Sequence, residues 1–203
     1  MRLNIISEEA GKDAIRRALL CADRNKISSL ASELDRSTVV EWKNALMDEL
    51  TDEYIKGNVP FCQLTAVSYA AQAIKNSNEA PVACCGALSG NTSAAGSDHM
   101  MMLLNAWGVP CIDLGLDVEP DKFVDTVSEN GLKYVICMAF NEENAQGIRR
   151  VDELAVKQGI RKQFSLLLCG IMLPEEKTRE LHLDCEEFRT ATAARWIGMQ
   201  WKR

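Results

Sequence analysis

The sequence contains only two histidines, no Cys-x-x-Cys pair and no cluster of lysine and arginine. With so little imidazole and no paired cysteine spacing, a tetrahedral zinc site of the usual kind cannot be written. The missing basic cluster, together with a formal charge of −6, excludes nucleic acid and anionic membrane surfaces as partners, because both demand concentrated positive charge. Residues Met1 to Glu9 hold no apolar export segment, and no stretch reaches the roughly eighteen uninterrupted apolar residues of a membrane span. The expectation is a cytoplasmic protein. No catalytic triad, P-loop or dinucleotide fingerprint can be written either, so the residues name no reaction of their own.

Eight cysteines are present, but their settings argue against a disulfide framework. Cys84, Cys85, Cys111, Cys137 and Cys169 lie in apolar runs that read as strands or strand ends, while Cys21, Cys62 and Cys185 are isolated. They read as small buried hydrophobes in a reducing compartment. Adjacent strand residues point to opposite faces, so Cys84 and Cys85 are two core positions and not a reactive pair.

With 47% hydrophobic and 26% charged residues over 203 positions, the chain is expected to fold throughout, as one large domain or two small ones. From about Asp13 to Asn76 the spacing is helical. Ala14, Ala18, Cys21 and Ala22 recur at three and four residues, as do Ile27, Leu30, Ala31 and Leu34. A break at Asp35-Arg36-Ser37 precedes Val40, Leu46, Met47 and Leu50, with Ser37 as the expected N-cap. A second break at Gly57-Asn58-Val59-Pro60 precedes Leu64, Val67, Ala71 and Ile74. Four short helices make a bundle over residues 1–78, with Asn76-Ser77-Asn78-Glu79 as linker.

From 79 to 203 the rhythm is different. Apolar runs at Val82 to Leu88, Pro110 to Gly115, Tyr134 to Phe140 and Phe164 to Leu168 alternate with helical stretches at Asp98 to Trp107, Pro120 to Ser128, Asn144 to Gln158 and Phe188 to Met199. This alternation predicts a parallel sheet covered on both faces. Ligands of such sheets bind beyond the carboxyl ends of the strands, which singles out the loops Leu88 to Gly96, Ala139 to Asn144 and Cys169 to Leu173.

Two segments carry a family likeness. Gly90-Asn91-Thr92-Ser93-Ala94-Ala95-Gly96 runs into a helix, and Gly108 to Val124 contains Ile112-Asp113-Leu114-Gly115, Asp117-Val118 and Pro120-Asp121-Lys122-Phe123-Val124. The pattern resembles the cobalamin-binding domain of methionine synthase and of corrinoid methyltransferase proteins. Leu50 to Ala71, with Tyr54-Ile55-Lys56-Gly57 and Pro60, looks like the end of the helical cap preceding that domain. The resemblance implies a four-helix cap followed by a Rossmann-like, flavodoxin-like doubly wound parallel sheet of about five strands, with a ligand held between the two.

In that family an Asp-x-His-x-x-Gly after the first strand supplies a histidine as lower ligand to cobalt, with the aspartate behind it. A Ser-x-Leu after the third strand and a Gly-Gly after the fourth leave a slot for the displaced nucleotide tail. Residue by residue, the aspartate falls on Asn91, the histidine on Ser93 and the glycine on Gly96. The serine and leucine fall on Met138 and Phe140, and the glycine pair on Cys169 and Gly170; Gly90 opens the same loop. A serine hydroxyl is a poor ligand for soft, low-valent cobalt, so a bound cobalamin or other corrinoid is expected to lack the usual histidine ligand. Met138 and Phe140 are expected to narrow the tail slot.

His99, at the start of the following helix, is the one candidate for a displaced metal ligand; the alternative is that it packs in that first turn. His182 reads as an exposed or half-buried histidine, Met100, Met101 and Met102 as core, and Trp107 as packing at a helix end. Glu142 and Glu143 suit the positive end of a helix. Three functions stay open: a methyl-carrier subunit working with a methyltransferase; a degenerate relative that binds no cobalamin and acts as a regulatory or scaffold partner of a corrinoid protein or its methyltransferase; and a sensor for another planar tetrapyrrole or smaller ligand. Pairing of two copies through the cap also stays open.

Overall fold

The computed structural model describes residues 8–74, 79–90, 93–171, 175–185 and 189–201, without the side chains of residues 175 and 177. Asn91, the linker residues Asn76-Ser77-Asn78, Phe188, and Met172 and Leu173 of the third loop lie outside them. The chain divides into two compact units, Met1–Asn78 with Ala106–Gly108, and Glu79–Asn105 with Val109–Arg203.

The first unit is helical: α1 Glu8–Leu20, α2 Arg24–Glu33, α3 Arg36–Ile55 and α4 Phe61–Ala71. α1, α3 and α4 bury residues three and four apart, such as Ile15, Ala18 and Leu19 on α1 and Val39, Leu46, Met47 and Leu50 on α3, while α2 buries Ile27 alone, and these stripes are what holds so short a set of helices together. The N-cap of α3 is Asp35, not Ser37. Its carboxylate accepts from the Thr38 N–H at 2.9 Å and from the Ser37 hydroxyl, since a carboxylate two residues earlier reaches the open amides of the first turn. The Ser37 bond, then the two Thr38 bonds, hold the Asp35 carboxyl at about 2, below its ordinary 3.8. A depressed carboxyl stabilises the fold above its unfolded value and loses that contribution as pH falls through its folded one.

The second unit is built on a parallel sheet in the order β2-β1-β3-β4, with β1 Ala83–Leu88, β2 Cys111–Val118, β3 Tyr134–Met138 and β4 Ser165–Cys169. Every residue of β1 and β3 is buried, which is why these strands read as continuous apolar runs rather than alternating ones. Five helices accompany them: α5 Ala95–Trp107, α6 Pro120–Asn130, α7 Glu142–Lys157, α8 Glu175–Arg179 and α9 Thr190–Trp201. Phe123, Val124 and Val127 of α6 and Ile148, Val151 and Ala155 of α7 pack on Cys84, Leu88, Val135, Cys137, Leu166 and Leu168. The alternate residues of β3 face the other way, where Tyr134 meets Trp196 of α9 edge to face. Pro120 in the first turn of α6 and Asn141 as side-chain cap of α7 start these two helices.

The sheet has four strands among the described residues, not about five. Where a fifth would lie beside β4, Cys185 makes a single parallel bridge with Leu167. Asp184 next to it spends its side chain on the ladder, accepting the Leu166 N–H at 2.8 Å. His182, with φ +48, breaks the extended path just before. Arg161 clasps this turn, donating to Asp184 Oδ2 at 2.7 Å, to the His182 carbonyl at 2.8 Å and to Asp152 on α7.

All eight cysteines are thiols, and Cys21 and Cys62 are exposed rather than buried. No described helix is long and apolar enough to cross a membrane.

Candidate functional site

The carboxyl ends of β1, β3 and β4 bring together the described parts of three loops far apart in the chain: Ser89-Gly90 with Ser93 to Gly96, Ala139 to Asn144, and Cys169 to Ile171. The turn after β1 is pinned from two sides. Toward β2, the Ser89 N–H donates to the Val118 carbonyl at 3.0 Å, the Ser89 hydroxyl to Glu119 Oε1 at 2.9 Å, and the Gly90 N–H to Asp117 Oδ1 at 2.7 Å. Toward α7, Asn144 Nδ2 donates to the Ser89 carbonyl at 3.0 Å. Gly90 sits at φ +85, and a Cβ there would lie 2.8 Å from Asn144 Nδ2. Glycine is therefore required twice, by the left-handed backbone and by the close approach.

Asn144 is 7% exposed, and its Oδ1 is buried with no hydrogen-bond partner. The bond to Ser89 fixes which end of the amide is nitrogen, so the orphan is an acceptor. An unmet buried acceptor costs on the order of 1–3 kcal/mol, and a ligand N–H would relieve it. Asp117 and Asn144 were not among the residues singled out from sequence. Asp117 lies inside the Leu116-Asp117-Val118 element, but its φ of +53 and its bond to Gly90 are visible only in three dimensions.

Ser93 is exposed immediately before α5, and Gly96 lies in the first turn of that helix. Asn91, at the aspartate position, falls outside the described residues. Across the sheet end, Met138 closes β3 in register with Cys169 of β4, both fully buried. The Ala139 N–H donates to the Cys169 carbonyl at 2.9 Å and carries the pairing one step further. The next residue, Phe140, turns its ring into the space between the two glycines. A Cβ on Gly96 would stand 2.3 Å from Phe140 Cζ and 3.4 Å from Met138 Cε; one on Gly170 would stand 3.3 Å from Phe140 Cε1. Gly170, at φ +102, also passes so close to Ala139 that a Cβ would meet its carbonyl oxygen at 2.5 Å. Phe140 as a whole remains 38% exposed.

His99 is placed on α5 with Nδ1 3.0 Å from Thr190 Oγ1 at the start of α9. Burial pushes its pKa down, which keeps the imidazole neutral at neutral pH. No group of three or more histidine, cysteine, aspartate or glutamate side chains among the described residues is arranged to hold a metal ion. Burial lifts Cys84 to about 12 and Cys85 and Cys137 well above the usual range, so none of these buried thiols supplies a thiolate nucleophile.

No protein-family model matches the sequence. No curated protein matches it. Solved structures do match, over nearly the whole chain. A cobalamin-binding protein from Desulfitobacterium hafniense DCB-2 is similar at a TM-score of 0.79 and 16% identity, covering 94% of this chain and 98% of that one. A chain of the methanol:cobalamin methyltransferase complex MtaBC from Methanosarcina barkeri is similar at 0.74 and 16% identity, covering 98% and 86%. The monomethylamine corrinoid protein of Methanosarcina barkeri is similar at 0.56 and 17% identity, covering 96% and 100%. At such identities the likeness is one of fold, and the fold is that of cobalamin-binding and corrinoid proteins.

Proposed function

We propose that the chain binds a corrinoid at the carboxyl ends of its strands without a histidine as lower ligand, and serves as the carrier subunit of a methyltransferase system. The observation that supports this most is the approach of Gly96 and Gly170 to one Phe140 ring at the carboxyl end of the sheet, in a chain whose fold matches corrinoid proteins over at least 94% of its length. The buried, unmet Asn144 Oδ1 beside Gly90 suits the carboxamide N–H groups that fringe a corrin ring. Asn91, Ser93, Met138, Phe140 and Cys169 complete the proposed binding residues.

The residues do not fit the histidine-ligated form of the cofactor. Ser93 brings a hydroxyl where an imidazole would be needed, and Phe140 fills the space that a nucleotide tail would take. No methyl-transfer step is therefore derived for this chain. Those same two features favour a second reading, in which the protein binds no cobalamin and acts as a regulatory, sensor or scaffold partner of a corrinoid protein or its methyltransferase.

A visible spectrum of the protein after incubation with hydroxocobalamin and desalting separates the two. The carrier reading expects retained corrinoid absorbance, unchanged in His99→Ala because His99 is engaged with Thr190. Absorbance altered by His99→Ala would instead assign that histidine as a displaced cobalt ligand. A colourless protein would sustain the partner-protein reading.

A further inference from the structure

We infer that Phe140 is a selectivity plug, which turns the site away from corrinoids carrying a nucleotide tail and toward tail-less corrinoids of the cobinamide class. This rests on the corrinoid reading above and says which corrinoid the site takes. The ring is not a loose side chain lying across an opening. It is seated against Gly96 of α5 on one side and Gly170 beyond β4 on the other, with Cζ and Cε1 inside the contact distance of any added Cβ, and fully buried Met138 backs it.

The two glycines that ought to leave room for a tail are thus consumed in making room for a ring. A side chain of any size at position 96 would drive the ring out, since the Cβ alone would stand 2.3 Å from Phe140 Cζ. A tail threaded between α5 and the end of β4 would have to do the same. A corrin ring held at the loop ends would have no such need. Ser93 points in the same direction: a site that neither offers an imidazole nor admits the tail gains nothing from a corrinoid that must release its own base.

The test is a pair of spectrophotometric titrations, hydroxocobalamin and diaquacobinamide, on the full chain and on Phe140→Leu and Phe140→Ala, each variant first checked for cooperative thermal unfolding. Displacing a seated ring is an overpacking cost, so the wild type should bind cobinamide at least about tenfold more tightly than cobalamin. Both variants should shift the ratio of cobalamin to cobinamide affinity by about tenfold toward cobalamin. Leucine keeps an apolar filler and alanine removes it, so a folding defect in one leaves the other to report. Equal affinity of the wild type for the two corrinoids, or variants that move both alike, would overturn the plug and leave the corrinoid reading standing. Binding of neither corrinoid by any form would overturn both together.

Discussion

The two ends of the sheet hold polar side chains for opposite purposes. At the amino end, Lys133, Asp152, Arg161, Ser165, His182 and Asp184 border a groove of about 760 Å³. Its central cation is already spent. Arg161 donates to Asp152, to Asp184, and to the carbonyls of Phe164 and His182, so the guanidinium closes a strand edge and is not presented to a ligand. At the carboxyl end the charges are acidic, Asp117 and Glu119 beside the turn after β1 and Glu142 and Glu143 at the start of α7. Glycines approach backbone and ring, Asp117 and Asn144 fix a turn, and one buried acceptor goes unmet. A satisfied network stabilises, whereas unmet groups and close approaches are where a ligand can add something.

This contrast can be broken at either end. The largest effect is expected at the clasp: Arg161→Met strands Asp152, whose side chain is 14% exposed, and frees the turn beside β4. Urea unfolding should show a loss of about 3 kcal/mol, with corrinoid binding unaffected once the protein is folded. If the variant keeps wild-type stability, Arg161 is not the clasp, and the groove deserves screening as a site. At the other end, Gly90→Ala combines a left-handed backbone with a contact to Asn144 and should cost about 1–2 kcal/mol. Asn144→Ala in the same background should recover part of that loss.

The smallest effect is the most diagnostic. Gly96→Ala in the wild type must push the Phe140 ring aside, and the loss of its packing should outweigh the gain in helix propensity, for a net cost below about 1 kcal/mol. In Phe140→Ala the obstruction is absent, so the same substitution should stabilise by about 0.5–1 kcal/mol. A change of sign in this double-mutant cycle would show the ring seated on Gly96 in solution, and two equal effects would show that it is not.

The α/β class was legible because buried strands and amphipathic helices write their periods into adjacent residues. Tyr134 to Met138 is apolar at every position, and α7 opens on Asn141 with Glu142 and Glu143 behind it. The helical cap was legible for the same reason, but its exact start was not: Asp35 and Ser37 are both good caps, and the carboxylate's reach decided between them. Met138 and Phe140 drew notice through the family likeness, on grounds of bulk alone. Asp117 entered only as part of the Asp117-Val118 element and Asn144 only as the end of a candidate loop, since an aspartate near a strand end and an asparagine in a first helical turn are ordinary residues until their partners are known.

By itself the sequence determined which segments are helix and strand, and that the strands run parallel under helices on both faces, because these follow from side-chain periodicity within a few residues. Only the tertiary structure decided that the sheet stops at four described strands, where Asp184 and Arg161 take over the edge of β4, and that the ring of Phe140 stands between Gly96 and Gly170. Those outcomes depend on three loops meeting at one sheet end, and no local pattern along the chain encodes a distance between atoms that the fold alone brings together.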